Sequence, residues 1–361
     1  MTPKADTRLE ASRLLAFFEA NGAQAVETDI LQPAEVLLDL YGEDIRARAY
    51  VTSDALRGEQ MLRPDFTVPV VQMHMEHGAE PARYAYAGEV FRRQEEDITR
   101  PSEFMQVGYE VFDRENPAAA DAEVFALFKE VLSPLGLRAA TGDMGILMAA
   151  VRGLSTTDRR KAALLRHIWR PRRFRALLER FGGKVNVPAA RSALLASEDA
   201  LAGAAPFNGL RSRGEIEARI AALKDDAAQP PISDGEAAIL DDILNLREKA
   251  PMVLERLRDI AVDLPAITPA VEMMDARLTA MTARGVDVDA LDFEGSYGRT
   301  TLEYYDGFVF GFYAEARPDL PAVASGGRYD ALTRVLGQGR SIPAVGGVIR
   351  PELVKALGDQ T

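Results

Sequence analysis

The chain has 361 residues, 47% hydrophobic and 27% charged, which is enough for a sizeable core and more than one domain. Its net charge of −12 excludes a general nucleic-acid binder, because neutralising phosphates takes concentrated Lys and Arg. With no cysteine there is no disulfide framework, thiolate nucleophile or Cys metal site. No apolar run approaches the ~18 residues of a spanning helix, and the start MTPKADTRLEASRLL lacks a secretory pattern, so a cytoplasmic protein with no membrane partner is expected.

In chain order, Thr7 and Glu10 have capping-box spacing, with Leu14, Leu15 and Phe18 following at helical intervals. The pattern predicts a first helix over 8–21, stopped at Gly22. The stretch MLRPDFTVPVV follows. If it is extended, Asp65 and Thr67 share a face, and a carboxylate beside a hydroxyl suits the three donors of an ammonium group. A turn stabilised by Asp65 after Pro64 fits the same residues. His74 and His77 have metal-ligand spacing but no third ligand, so a surface helix end before Gly78 is expected and no metal site.

Arg83 to Phe112 reads as two strands joined by a charged loop over 93–102. In the second strand Met105, Val107, Tyr109 and Val111 fall on one face, and Phe104, Gln106, Gly108, Glu110 and Phe112 on the other. A half-buried strand with Gln106 and Glu110 flanking a glycine leaves room for something to approach the backbone at Gly108. Glu110 is then expected to point into a cavity. A solvated hairpin tip over an ordinary sheet is the competing reading.

An amphipathic helix is predicted over 121–135, on Val124, Phe125, Phe128, Val131 and Leu132. From about Leu154 to Pro251 the strand signal disappears and a helical stretch follows, with Ser233 and Glu236 as a further capping pair. Between Leu154 and Gly183, nine Lys and Arg residues face only Asp158 and Glu179, either a solvated face or an interaction surface. Thr268-Pro269 opens another helix. Residues 300–313 then read as a hairpin turning at Asp306-Gly307, with Tyr304 and Tyr305 offering a flat wall that suits an imidazole ring.

The Arg83–Phe112 segment resembles the motif 2 hairpin of class II aminoacyl-tRNA synthetases, in its histidyl-tRNA synthetase form. Phe91-Arg92 matches the pair whose arginine grips the ATP α-phosphate, and Arg100 matches the second loop arginine. Phe104, Gln106, Gly108 and Glu110 match the strand that holds histidine. The similarity continues in the LRP-acidic-x-T motif at Leu62–Thr67, in Leu302–Phe310 against the histidine-specific motif, and in Ser325–Asp330 and Pro343–Gly346. Residues 24–40, with Pro33, lie where that family has motif 1, which builds its dimer interface. The resemblance therefore implies an α+β fold with a class II synthetase-like core, mainly antiparallel sheet flanked by helices. It implies a first core part at 1–150, a helical insertion at 151–255 and a second core part at 256–361. It also implies homodimerisation and a histidine pocket formed by Asp65, Thr67, Gln106, Glu110, Tyr304 and Tyr305.

The departures concern ATP and transfer. The family's catalytic arginine falls on Thr300, with Arg299 one place along and, on a strand, facing the other way. Motif 3 should read G-L-E-R, but Arg350-Pro351-Glu352-Leu353 stands there, and Leu353 cannot make a charge-assisted contact to a polyphosphate. Gln94 replaces a glutamate of motif 2. No room is left before Thr361 for the synthetases' anticodon-binding domain, so none is expected. Arg92 and Arg100 are then remnants of a nucleotide site. This combination closely resembles the regulatory subunits of ATP phosphoribosyltransferase, non-catalytic synthetase paralogues of histidine biosynthesis. That resemblance implies a short-form catalytic subunit as partner, histidine as ligand and feedback inhibitor, and no catalytic residue, cofactor or nucleic-acid partner. The alternative is a truncated synthetase-like enzyme that activates an amino acid with ATP for a non-tRNA acceptor.

Overall fold

The computed structural model describes residues 3–35, 49–94, 101–299 and 304–359. Part of the motif 1 stretch, the loop arginine Arg100 and Thr300 lie outside the described residues. The described chain divides into two compact units, one of residues 1–149 and 243–361, the other of 150–242.

The first unit is built on a nine-stranded sheet. Its strands in chain order are β1 (Gln24–Ala25), β5 (Ala82–Phe91), β6 (Glu103–Phe112), β7 (Arg138–Asp143), β8 (Arg247–Lys249), β9 (Asp292–Glu294), β10 (Phe308–Tyr313), β11 (Ala324–Arg328) and β12 (Ala344–Ile349). They lie side by side in the order β1-β5-β6-β12-β11-β10-β7-β9-β8. All neighbours are antiparallel except β1–β5 and β7–β9. A separate three-stranded sheet is made by β2 (Leu31–Pro33), β3 (Val51–Asp54) and β4 (Gly58–Leu62).

Helix α1 (Lys4–Ala20) covers one face of the large sheet, where Phe18 stacks on Tyr109 of β6 at 5.1 Å between centroids. The helix starts earlier than the capping pattern predicted. Pro3 occupies the N-cap, and Thr7 lies inside the helix with its hydroxyl donating to the Pro3 carbonyl at 3.3 Å. The stop is where expected, at Gly22 with φ +91, a conformation glycine adopts without strain.

Helix α2 (Thr67–His77) lies between the two sheets in sequence. It ends before Gly78 as expected, but His74 is buried, stacked on Phe112 at 4.0 Å, with Nδ1 3.1 Å from the Tyr84 hydroxyl. Of the two histidines His77 alone is exposed, so the surface reading fails for His74. Helix α3 (Pro117–Val131) is capped by Asn116, whose side chain accepts from Ala119 N, and a short 3-10 turn (Ser133–Leu135) completes the predicted stretch.

The predicted apolar stripe of α3, Val124, Phe125, Phe128, Val131 and Leu132, is buried, and the polar Asp121 and Glu123 are buried as well. Asp121 accepts from Arg328 of β11 at 2.7 Å and from Arg277 at 3.2 Å. Arg277 lies on a helix (Thr268–Ala283) that begins at the predicted Thr-Pro pair, and it also reaches Asp143 at 2.7 Å. Asp121, Arg277 and Arg328 are all at least nine-tenths buried. Burial there demands pairing, because an unpaired ion in this setting costs several kcal/mol.

In the second unit, helices Asp158–Arg166, Pro171–Phe181, Ala189–Ala196 and Arg213–Ala228 follow one another. The predicted cap of the next helix forms, with Glu236 N donating to Ser233 Oγ at 3.2 Å. Most of the basic stretch is solvent-facing, including Arg159, Arg166, Arg172, Arg173, Arg175 and Arg180. Arg160 is not part of that face. It is buried, donating to Asp226 Oδ1 and to the Asp226 and Pro230 carbonyls, all at 2.7 Å.

Candidate functional site

The alternation of β6 is as predicted, but residues 106–112 are buried on both faces, since β6 lies inside the sheet between β5 and β12. Pairing places Gly88 opposite Gln106, Tyr86 opposite Gly108 and Tyr84 opposite Glu110 on β5. On the other side Gly346 of β12 lies opposite Glu110, and Val348 opposite Gly108. What approaches the backbone at Gly108 is the Tyr86 ring, which a Cβ there would overlap. Gly346 likewise leaves the space that the Glu110 carboxylate fills.

Glu110 is therefore not a side chain pointing into open space. It is fully buried and accepts three O–H hydrogen bonds from three parts of the chain. Tyr86 donates to Oε1 at 2.8 Å, Thr67 to Oε1 at 3.0 Å, and Tyr329 to Oε2 at 2.6 Å. Burial pushes the carboxyl pKa up to about 7, against the pull of these three donors. The same burial, with the carboxylate close by, raises the Tyr86 and Tyr329 hydroxyls well above their usual range and keeps them as donors.

Of the two local structures open to Asp65 and Thr67, an extended face and a turn stabilised by Asp65, the turn is the one that forms. Phe66 is in the helical region and Thr67 opens α2, so the chain turns here. Asp65 Oδ1 accepts from Val68 N at 3.4 Å, the turn-stabilising arrangement. Phe66 stacks on Tyr86 at 4.4 Å, and the Arg63 guanidinium lies 3.9 Å above the Phe66 ring while donating to the Glu89 carbonyl. The turn is thereby fixed to β5, and both polar side chains are buried.

Gln106 is also buried, and its amide oxygen has no hydrogen-bond partner among the described residues. Tyr305 is buried over Gly327, and Tyr304 packs edge-on against it at 4.8 Å and against Tyr329 at 6.1 Å. The tyrosine pair does not sit in a hairpin. Residues 304–307 are irregular, and β10 pairs with β11 and β7. Asp306 instead uses its carboxylate to accept from Asp330 N at 2.9 Å and Ala331 N at 2.7 Å, at the start of a helix (Asp330–Leu336) that directly follows Tyr329. Burial and the neighbouring Asp330 charge push Asp306 up to about 7.

At the far end of β5, Arg92 Nε donates to the Pro64 carbonyl at 2.8 Å, with its guanidinium 5.5 Å from the Phe104 ring centroid. Leu353 lies in the first turn of helix Pro351–Gly358 and lines, with Thr7, Phe104, Met105 and Ala356, a cavity of about 310 Å³. Arg299 is buried within a turn, so the strand-parity argument about its direction does not apply. Sequence reasoning missed Tyr86 and Tyr329 as partners of Glu110, although Tyr329 belongs to a motif it singled out. Tyr86 could have been found from the pairing of β5 across Gly108.

The sequence profile of the family described as histidyl-tRNA synthetase matches residues 3–354. Among curated proteins, the chain is 32% identical to the ATP phosphoribosyltransferase regulatory subunit of Agrobacterium fabrum, over 96% of each chain. It is 31% identical to the protein of that name from Rhizobium rhizogenes, over 93% of this chain and 94% of the other. Among solved structures, an ATP phosphoribosyltransferase regulatory subunit/histidyl-tRNA synthetase from Bacillus halodurans superposes with a TM-score of 0.69 at 20% identity, covering 99% of this chain and 80% of that one. The histidyl-tRNA synthetase of Nostoc gives 0.64 at 18% identity, over 100% and 75%. These structures share the class II synthetase-like fold, and the sequence relationship narrows it. The chain belongs to the ATP phosphoribosyltransferase regulatory subunits, a family built on the histidyl-tRNA synthetase framework.

Proposed function

We propose that this chain is a non-catalytic subunit that binds free histidine at Glu110, activates a short-form ATP phosphoribosyltransferase catalytic subunit and takes part in its feedback inhibition. The observation that carries this reading is a contrast within the first unit. The polar centre of Glu110, Thr67, Tyr86 and Tyr329 is complete, whereas leucine stands at the motif 3 arginine position. A sensor needs the first set and not the second. In this reading Asp65, Thr67 and Gln106 receive the histidine ammonium, Glu110 the ring nitrogen, and Tyr304 and Tyr305 the imidazole face. Arg92 and Arg100 are remnants of a nucleotide site, and no cofactor or metal takes part. The core parts are 1–149 and 243–361 around an insertion at 150–242, shorter than the expected 151–255 because the strand Arg247–Lys249 joins the core sheet. The protein works in the cytoplasm as a homodimer within the larger assembly. Histidine then couples to activity by preferring one arrangement of that assembly.

The purified chain is expected to give no histidine-dependent ATP–pyrophosphate exchange, while calorimetry detects histidine binding. Clear exchange would overturn the regulatory reading in favour of a truncated amino-acid-activating enzyme.

The exposed arginines of the second unit supply the proposed partner surface on an otherwise acidic chain. Changing Arg172, Arg173 and Arg175 together to Glu should slow assembly with the catalytic subunit by about ten-fold at low salt, with a smaller effect at high salt. Unchanged association kinetics at low salt would make this face merely solvated.

A further inference from the structure

Arg350 stands where the synthetase motif has glycine, immediately after β12. Its backbone is extended (φ −99, ψ 99), and its N–H donates to the Val323 carbonyl at 2.9 Å, continuing the β11–β12 ladder by one residue. The register Val348–Gly108 and Ile349–Val107 brings Arg350 level with Gln106. Alternation then puts it on the same face as Gly346, Val348, Gln106 and Glu110.

This cation is poorly compensated. Its Nη1 donates to the Ala322 carbonyl, and neither Arg350 nor Arg92 forms an ion pair among the described residues. The charged and titratable groups around Arg350 are Arg92, Glu352, Tyr313 and Tyr305. Burial, then the like charge of Arg92, lowers the Arg350 pKa to about 10. Glu352 offsets this only in part, since burial raises that carboxyl's own pKa and its Oε2 has no hydrogen-bond partner among the described residues. A guanidinium held this way favours an incoming anion, with two parallel N–H donors shaped for a carboxylate. The neighbouring end of the same face carries the buried carboxylate of Glu110. A ligand with a cationic or N–H-donating end and a carboxylate end matches this polarity.

We propose that Arg350 is the receptor for the α-carboxylate of the amino acid held at Glu110, a role for which the chain has no arginine at position 300. The inference rests on the histidine reading given above. It makes the site selective for a free amino acid, because an ester or amide lacks the anionic carboxylate that a guanidinium pairs with. Arg92 reinforces the positive field without having to touch the ligand.

Calorimetric titration of histidine and of histamine, which keeps the imidazole and ammonium but lacks the carboxylate, tests this in the wild type and in Arg350→Gln. The wild type should bind histidine about ten- to a hundred-fold tighter than histamine. Arg350→Gln should bring histidine down to the histamine level and leave histamine unchanged, and Arg350→Lys should restore part of the gap. An undiminished gap in Arg350→Gln would overturn the assignment, as would equal affinities in the wild type. Loss of both ligands in Arg350→Gln and Arg350→Lys, with unchanged melting curves, would also overturn it by making Arg350 a general support of the pocket. Absence of any histidine binding by the wild type, alone and with the catalytic subunit, would instead remove the histidine reading itself.

Discussion

Glu110→Gln is expected to weaken histidine binding by about ten-fold or more. A charge-assisted hydrogen bond contributes about 1.5–3 kcal/mol, and ~1.4 kcal/mol is a decade of affinity. Glutamine suits this test better than alanine. Alanine would leave the hydroxyls of Thr67, Tyr86 and Tyr329 without their shared acceptor, each unpaired buried donor costing about 1–3 kcal/mol. Glu110→Ala should therefore lower the melting temperature as well as the affinity. The pH dependence carries the same signature. The folded pKa of about 7 lies above the ordinary carboxylate value, so the folded state binds more protons than the unfolded one between those values. Stability from this group is present at low pH and falls as pH rises through about 7. Ligand binding should oppose that fall, because an imidazole N–H or ammonium favours the ionised carboxylate. Histidine affinity should therefore rise from pH 6 to pH 8 in the wild type, once the ligand's own ionisation is subtracted. Glu110→Gln should flatten the residual slope, and an identical slope in both proteins would rule Glu110 out as the group that titrates.

The largest stability effect is expected away from the pocket. Asp121→Ala removes the shared partner of Arg277 and Arg328 and leaves two guanidinium groups buried with less compensation. Breaking a buried pair in this way costs about 3–5 kcal/mol. Arg277 keeps Asp143, and Arg328 keeps Asp330 at 3.0 Å, so part of the loss is absorbed. Removing the exposed Arg175, 3.7 Å from Asp241, should cost almost nothing by comparison. Equal denaturation midpoints for Asp121→Ala and Arg175→Ala would mean that the buried network contributes little to stability.

Much of this site was legible because it depends on local periodicity. The two-residue repeat of β6 placed Gln106, Gly108 and Glu110 on one face, and the sheet preserved that parity through both neighbouring ladders. The partners of Glu110 were harder to read, since they depend on register and on long-range closure. Tyr86 reaches it across β5, and Tyr329 lies 219 residues further along the chain. Local rules also misled where tertiary contacts took over a polar side chain. Asp306-Gly307 has the composition of a hairpin turn, but the Asp306 carboxylate is engaged by the backbone at the start of the Asp330–Leu336 helix. Asp65 and Thr67 fitted an extended face or a turn, and only the tertiary structure decides, with Phe66 turning the chain into α2 and delivering Thr67 to Glu110. In α1, helical propensity ran past the Thr7 cap to Pro3.

Reconstitution tests the regulatory role most directly. The chain is mixed with a short-form ATP phosphoribosyltransferase catalytic subunit, and joining of ATP to phosphoribosyl pyrophosphate is measured with and without histidine, for the wild type and for Glu110→Gln. Co-elution of the two proteins is expected, with activity well above that of the catalytic subunit alone. Histidine should inhibit the wild-type complex, and the Glu110→Gln complex should need about ten-fold more histidine for the same inhibition. A catalytic subunit that neither co-elutes with this chain nor gains activity from it would contradict the regulatory role, and equal histidine sensitivity of the two complexes would place the sensing site elsewhere.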